Sequence, residues 1–382
     1  MPLHMIIEIH GTGTHNKGSE LMLQATLQRL RASHPELQFA TERWFGPYED
    51  RAQYGLRTIL PRYGNGRAWL LSAFMSKSFR QAFGLVNDSD LQGFVDASGY
   101  IYCDHWGTPH VERLAAQSDK WKRNGTPAVF LPQAFGPFTS NRIRTAARKL
   151  FQNASLVFAR DDISLQHVRN LGVDGDHVSK AHDFTTVIPG EIPLKVRLPD
   201  RYGCVVPNVR MFDKASKREA EGYIDLLVMS IRRLQDCGIV PCFLFHEPRH
   251  DKRIAVEVQK ELKTEVASFA FDCPIALKGI IGKASILIGS RFHALVGALC
   301  QSVPVIATSW SHKYEALLTE YGVSEFLITP NSGRQELNSL IDRVADDKER
   351  SRIVQLLDQR ALMFKEQAEL TFSRTIQVLG IS

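Results

Sequence analysis

Residues 285–307 pass through a short apolar stretch, a stretch of small apolar residues and a second short apolar stretch, and very few folds accept that order. Residues 285–289 read as a strand buried on both faces, the mark of a parallel sheet, and residues 303–307 as the next one. Between them, residues 294–300 are apolar all round, as a helix pressed against a sheet must be. Strand, helix and strand make a crossover unit, and such sheets bind ligands beyond the carboxyl ends of their strands. Ser290, Arg291, Phe292 and His293 fall at that end.

The chemistry of these four residues follows from their place. Ser290 is expected to cap the helix, so that the first-turn N–H groups point outward and form an anion site. Arg291 adds a planar, permanently charged fork suited to phosphate or carboxylate. His293 sits in the same turn, where the helix end favours the neutral imidazole and a bound anion the charged one. Such a histidine is a proton donor that charges as its anionic substrate arrives. Positions two apart do not share a helix face, so Arg291 and His293 meet one ligand only at the helix end. The local sequence also admits a plainer reading, with Arg291 paired to a structural carboxylate and His293 capping a loop.

At 382 residues the chain exceeds the size that one core serves, so two domains are expected. Its 44% apolar and 23% charged residues are those of an ordinary globular protein. A formal charge of +6 without a dense Lys/Arg block suits anionic small ligands or an anionic membrane face and argues against nucleic acid. Cys103, Cys204, Cys237, Cys242, Cys273 and Cys300 form no Cys-x-x-Cys pair and read as reduced residues of a cytoplasmic protein. The first residues show no signal peptide, and no apolar stretch reaches the roughly 18 residues of a spanning helix.

A first cycle opens with a strand over residues 5–10, a glycine-rich turn over 11–18 and a helix over 19–32. The turn resembles a dinucleotide fingerprint, but Asn16 stands where the third glycine belongs and no acidic ribose ligand ends the second strand, which argues against NAD. Strands over 93–102, 128–131 and 156–159 alternate with helices over 111–123 and 141–153, as in a doubly wound parallel sheet. Residues 69–85 are expected to be helical, and the Gly/Tyr/Arg-rich stretch before them a mobile loop over the cleft. A second cycle has strands over 203–206 and 241–245 around a helix over 218–237, and residues 335–381 read as helical. His246, Glu247 and His250 satisfy the His-Glu-x-x-His zinc pattern, yet the string comes straight off a strand and holds Pro248 at its middle. A loop bringing polar groups beside Arg291 is the expectation there.

The run Gly289, Ser290, Arg291, Phe292, His293 and Ala294, followed by Gly297, Val303, Pro304 and Lys313, resembles the signature of the polysaccharide pyruvyl transferase family. The glycine-rich turn ending in Gly18, Ser19 and Glu20 is similar to that family's N-terminal region, with Ser19 shifting the acid to Glu20. The resemblance runs from about residue 6 to 320 and implies an α/β fold. Two Rossmann-like domains with parallel sheets would face each other across a cleft, in a GT-B-like arrangement. Residues 1–188 would form the acceptor side, 189–345 the donor side, and 346–382 terminal helices, the last crossing back to the first domain. The resemblance also implies transfer of pyruvate from phosphoenolpyruvate onto two hydroxyls of a hexose in a bacterial surface polysaccharide or its precursor, as a ketal.

On this reading Ser290, Arg291, Arg210 and Lys313 bind the donor. His293 protonates either the methylene carbon or the departing phosphate. Glu20 and Asp104 compete for the role of base, and Asn16 and Gln133 hydrogen-bond the sugar. No metal ligand set is evident, and no cofactor beyond the donor substrate is implied. The acceptor is free or lipid-linked, and a lipid-linked one would favour a peripheral place on the inner membrane face. Two alternatives stand beside this reading: a GT-B glycosyltransferase using a nucleotide sugar, and a protein that binds a phosphorylated sugar without turning it over.

Overall fold

Two sets of short apolar runs pair in parallel, and helices returning over each set bury it on both faces. The computed structural model describes residues 5–62, 75–213, 217–308 and 313–381. The chain divides into two units, one of Met1–His15, Met22–Phe184 and Ala368–Ser382, the other of Asn16–Leu21 and Thr185–Gln367. The first turn of helix Lys17–Ser33 therefore packs with the second unit, although the rest of that helix belongs to the first.

The sheet of the first unit uses β1 (Ile6–His10), β2 (Gln38–Glu42), β3 (Leu56–Ile59), β4 (Leu85–Val86), β5 (Gly93–Asp96), β6 (Ala128–Gln133), β7 (Leu156–Ala159) and β8 (Val178–Lys180). Their order is β4-β3-β2-β1-β5-β6-β7-β8, with every neighbouring pair parallel. Chain order reverses between β1 and β5, where His10 and Asp96 are register partners. The second unit uses β9 (Tyr202–Val206), β10 (Val240–Leu244), β11 (Ala267–Phe269), β12 (Ile286–Gly289), β13 (Val305–Thr308) and β14 (Leu327–Ile328), in the order β11-β10-β9-β12-β13-β14. Its reversal falls between β9 and β12, directly before Asn208 and Ser290. Both units are Rossmann-like α/β units, as the alternating pattern implies.

Several boundaries have local causes. Helix Asn141–Gln152 begins where the Ser140 hydroxyl accepts the Ile143 N–H, and helix Asp162–Arg169 where Asp161 accepts the Ser164 N–H at 2.7 Å. The strand expected over 93–102 stops at Asp96, because its carboxylate accepts the Ser98 N–H at 2.9 Å and turns the chain. Of the helix expected over 69–85, residues 69–74 lie outside the described residues, as do residues 63–68 of the expected mobile loop. The described part is helical over Lys77–Ala82 and is ended by Gly84 in the left-handed region (φ +62°). The terminal segment is two helices, Arg334–Ala345 and Asp347–Leu379, separated by an extended Asp346. Among the described residues, no helix is long and apolar enough to cross a membrane.

Close pairing of β9 and β12 sets the position of everything that follows Gly289. A Cβ at that glycine would lie 2.6 Å from the Val206 carbonyl oxygen, a backbone atom that cannot swing aside. Gly289→Ala is expected to cost about 1–3 kcal/mol through forced separation of the two strands. Urea denaturation reads that loss as a lower midpoint, and an unchanged midpoint would show that the strands yield freely.

Candidate active site in the second unit

The chain leaves β12 through Ser290, which is wholly buried. Its carbonyl accepts from Asn208 Nδ2 at 2.5 Å and from the Tyr314 hydroxyl at 2.8 Å. Its own hydroxyl meets that of Tyr223 at 2.8 Å, and Tyr223 in turn accepts the Asn208 N–H at 3.1 Å. This corrects the expectation that Ser290 caps the helix. The N-cap of helix Phe292–Leu299 is Arg291, and no side chain there caps the helix by hydrogen bonding. Ser290 instead ties the ends of β9 and β12 to Tyr314, in the first turn of helix Lys313–Tyr321.

Arg291 is buried, and its Nη2 lies 2.5 Å from Asp251 Oδ1 and 2.8 Å from Glu247 Oε2. Glu247 is the N-cap of helix Pro248–Leu262 and Asp251 lies one turn inside it, so the zinc-like string straddles a strand-to-helix junction. Pro248 starts that helix, His246 precedes it, and the string supplies the loop of polar groups expected beside Arg291. Asp251 also accepts the Glu247 N–H at 3.0 Å and the Val209 N–H at 3.3 Å. Burial pushes its carboxyl above the ordinary value, and Arg291 pulls it back only in part. The plainer reading of Arg291 is thus present in the fold, since one cation faces two carboxylates. Arg291 Nε remains buried with no hydrogen-bond partner among the described residues.

His293 lies against the glycine-rich turn. A Cβ on Gly18 would fall 2.5 Å from His293 Nδ1, so only glycine lets the turn approach the ring so closely. The turn is held by the Lys17 N–H, which donates to the His246 carbonyl at 3.1 Å, and by Lys17 Nζ, which donates to the Asp272 carbonyl at 2.6 Å. Burial pushes the His246 imidazole down to about 3, and the positive charges of Arg291, His293 and Lys17 push in the same direction. A neutral histidine and His293 therefore flank the Lys17–Gly18 backbone.

The other expected residues divide between the two units. In the second, Asn16 Oδ1 accepts the Gly18 N–H at 2.9 Å and so caps helix Lys17–Ser33, while buried Glu20 lies 2.7 Å from Lys17 Nζ. The Arg210 N–H donates to Asn208 Oδ1 at 3.0 Å, and Lys313 Nζ sits 5.3 Å from the centre of the Phe292 ring. In the first unit, both Asp104 oxygens accept the Thr139 N–H. Gln133 is fully buried, accepting from Ser98 Oγ at 2.7 Å and donating to Asp96 at 2.8 Å. Its amide is spent on that buried network, where the resemblance implied a hydrogen bond to the sugar. Glu8, His10 and Glu42 have metal-ligand spacing, with Arg62 forking onto Glu8 and supplying positive charge there. Sequence reasoning missed Asp251, Tyr223 and Tyr314; the signal available was Asp251, one turn after Glu247 on the same face.

A histidine held neutral in the fold, but free to charge at about 6.5 once unfolded, makes the unfolded state the better proton acceptor between those limits. Stability should therefore fall as pH drops below about 6.5. His246→Asn is expected to remove about 1.4 kcal/mol per pH unit of that slope between pH 6 and 4. Urea titrations across this range give the slopes, and identical ones would place His246 in water.

No curated protein matches the chain. Solved structures match it over nearly its whole length at low identity. HepE of Anabaena, in complex with UDP and glucose, is 14% identical with a TM-score of 0.59, covering 99% of this chain and 100% of that one. MnaA of S. aureus, in a co-structure with UDP, is 12% identical with a TM-score of 0.57, covering 99% and 98%. The UDP-GlcNAc 2-epimerase from Neisseria meningitidis, bound to UDP-GlcNAc, is 9% identical with a TM-score of 0.59, covering 99% and 100%. These likenesses concern the fold, which is α/β and GT-B-like. The profile of one family, described as polysaccharide pyruvyl transferase, matches residues 16–312. Since that match takes in most of the chain, from the turn at Asn16 through the helix that carries His293, the chain belongs to the polysaccharide pyruvyl transferase family, a family of transferases.

Proposed function

We propose that the protein transfers pyruvate from phosphoenolpyruvate to two hydroxyls of a saccharide, leaving a cyclic ketal and phosphate. Family membership supports the reaction class, and the observation that carries the site is His293 at the reversal point of the second sheet, fitted against Gly18. The donor places a carboxylate and a phosphate on one carbon, so it needs several hydrogen-bond donors and positive charge. Arg291 Nε, Lys313 and Arg210 are proposed to supply them, together with the start of helix Phe292–Leu299.

His293 is proposed as the acid. Protonation of the methylene carbon makes the neighbouring carbon electrophilic, a sugar hydroxyl attacks it, and phosphate departs as the second hydroxyl closes the ring. Arg291 has a second role in this reading. Its charge is shared with Asp251 and Glu247, so it fixes the start of the helix that carries His293 as well as touching the donor. A base for the sugar hydroxyls is required, and the carboxylates of Glu20 and Asp104 are each engaged within the fold.

The test is incubation with phosphoenolpyruvate and a panel of saccharides, free and lipid-carried, read by mass for the added ketal and by phosphate release. His293→Ala is expected to keep phosphoenolpyruvate binding and lose turnover by about 100-fold or more. Equal turnover in the variant would remove His293 from the mechanism. Stabilisation by UDP- or GDP-sugars, with none by phosphoenolpyruvate, would overturn the donor assignment. Gly18→Ala should fold normally, because alanine favours a helix start, yet lower kcat about 10-fold by displacing the His293 ring. Wild-type kcat in that variant would show that the turn and the ring move independently.

A further inference from the structure

A cavity of about 310 Å³ lies in the first unit at the amino ends of β5 and β6, the end of the sheet opposite to the one where such folds take their ligands. Its size is at the lower end of the roughly 300–1,000 Å³ usual for small-molecule sites. Two segments enclose it. One is the turn Asp88–Asp90 with Leu91 and Gln92, which leads into β5. The other is the last part of helix Thr108–Asn124, from Gln117 on, with the left-handed Gly125 (φ +63°) that ends the helix.

The polar side of the cavity is held in place by ion pairs. Asp88 Oδ1 accepts from Gln117 Nε2 at 2.7 Å and lies 2.8 Å from Arg62 Nε, while Lys120 Nζ stands 3.5 Å from Oδ2. Arg62 also forks onto Glu8, with Nη1 3.0 Å from Oε1, and Glu8 lines the cavity from the sheet. Burial pushes the Glu8 carboxyl up, but Arg62 and His10 outweigh it, so Glu8 stays ionised. Asp88 is thus fixed from behind, yet its side chain is still 28% exposed, and that of Lys120 is 42% exposed.

The charges cancel, with Glu8 and Asp88 set against Arg62 and Lys120, so neither a free anion nor a free cation is drawn there by net charge. What remains is hydrogen bonding beside an apolar wall. Asp88 accepts, Lys120 donates, exposed Ser89 and Asn124 do both, and Leu91 and Trp121 are apolar. A sugar ring matches that pattern, with hydroxyls that donate and accept around its edge and C–H groups on its faces.

We infer that this cavity binds an uncharged saccharide unit, a hexose or a disaccharide, held by Asp88, Lys120 and Asn124 against Leu91 and Trp121. The site is separate from the groups assigned to the transfer and does not rest on that reading. Its hydroxyl contacts replace those of cavity water, so the affinity is about millimolar.

The experiment titrates the full chain, without phosphoenolpyruvate, with glucose, galactose, mannose, N-acetylglucosamine and maltose, and with inorganic phosphate and putrescine as charged probes. Calorimetry follows binding, and amide hydrogen exchange locates it. At least one saccharide is expected to saturate the protein and slow exchange over residues 88–93 and 117–126. Ser89→Trp, which sets a bulky group into the cavity, and Asn124→Ala are each expected to weaken that binding about 10-fold or more. Both residues are exposed, so both variants should melt as wild type does. Exchange slowed only elsewhere, or a Kd within a few-fold of wild type in both variants, overturns the assignment. So does phosphate or putrescine binding at these residues with no saccharide bound, or the absence of binding by every probe. Failure of the transfer reading shows separately, as wild type that never consumes phosphoenolpyruvate while saccharides still protect residues 88–93 and 117–126.

Discussion

The second unit is built around a guanidinium taken out of water. Burying a charge costs several kcal/mol unless it is paired and hydrogen-bonded, and Arg291 meets that condition only where Glu247 and Asp251 are brought to it by the helix that follows β10. Breaking such a pair by removing one partner typically costs about 3–5 kcal/mol, because the other is left charged and dry. The cluster therefore locks the β10 junction to the β12 junction. With Ser290 tied to Asn208, Tyr223 and Tyr314, the start of helix Phe292–Leu299 has little freedom of rotation. His293 inherits its direction from that lock.

The same constraint divides labour within the signature. Arg291 and His293 are two residues apart and cannot share a helix face, so the fold turns one toward its carboxylates and sets the other against Gly18. Neutral His246 adds an uncharged group beside Arg291, His293 and Lys17, which limits the positive charge gathered in one place. The first unit treats its strand ends differently. There Asp96, Ser98, Tyr102 and Gln133 satisfy one another in a buried network.

Much of the fold was legible. Residues 156–159 and the helix from Asn141 stand where the apolar pattern puts them, because that signal is local and strong. β3 and β4 were not legible, since Leu-Arg-Thr-Ile and Leu-Val are too short to show a period, and the pairing of β3 to β2 and of β4 to β3 depends on neighbours far along the chain. At the site, the place of Ser290, Arg291 and His293 was legible because a strand end followed by a helix fixes where polar residues emerge. Their partners were not. Asp251 reads in sequence as one more acid on an amphipathic helix, and Gln133 as one more polar residue after a strand.

By itself the amino-acid order determined the alternation of strand and helix, the parallel pairing and the chemistry present at each strand end, because these depend on residues within a turn or two of one another. Only the tertiary structure decided which of those groups face ligands and which face each other. Arg291 found Asp251 forty residues away and Gln133 found Asp96 thirty-seven away, and Gly18 reached His293 across most of the chain. Burial couples such distant groups through desolvation, and no local pattern records where a charge will be left without water.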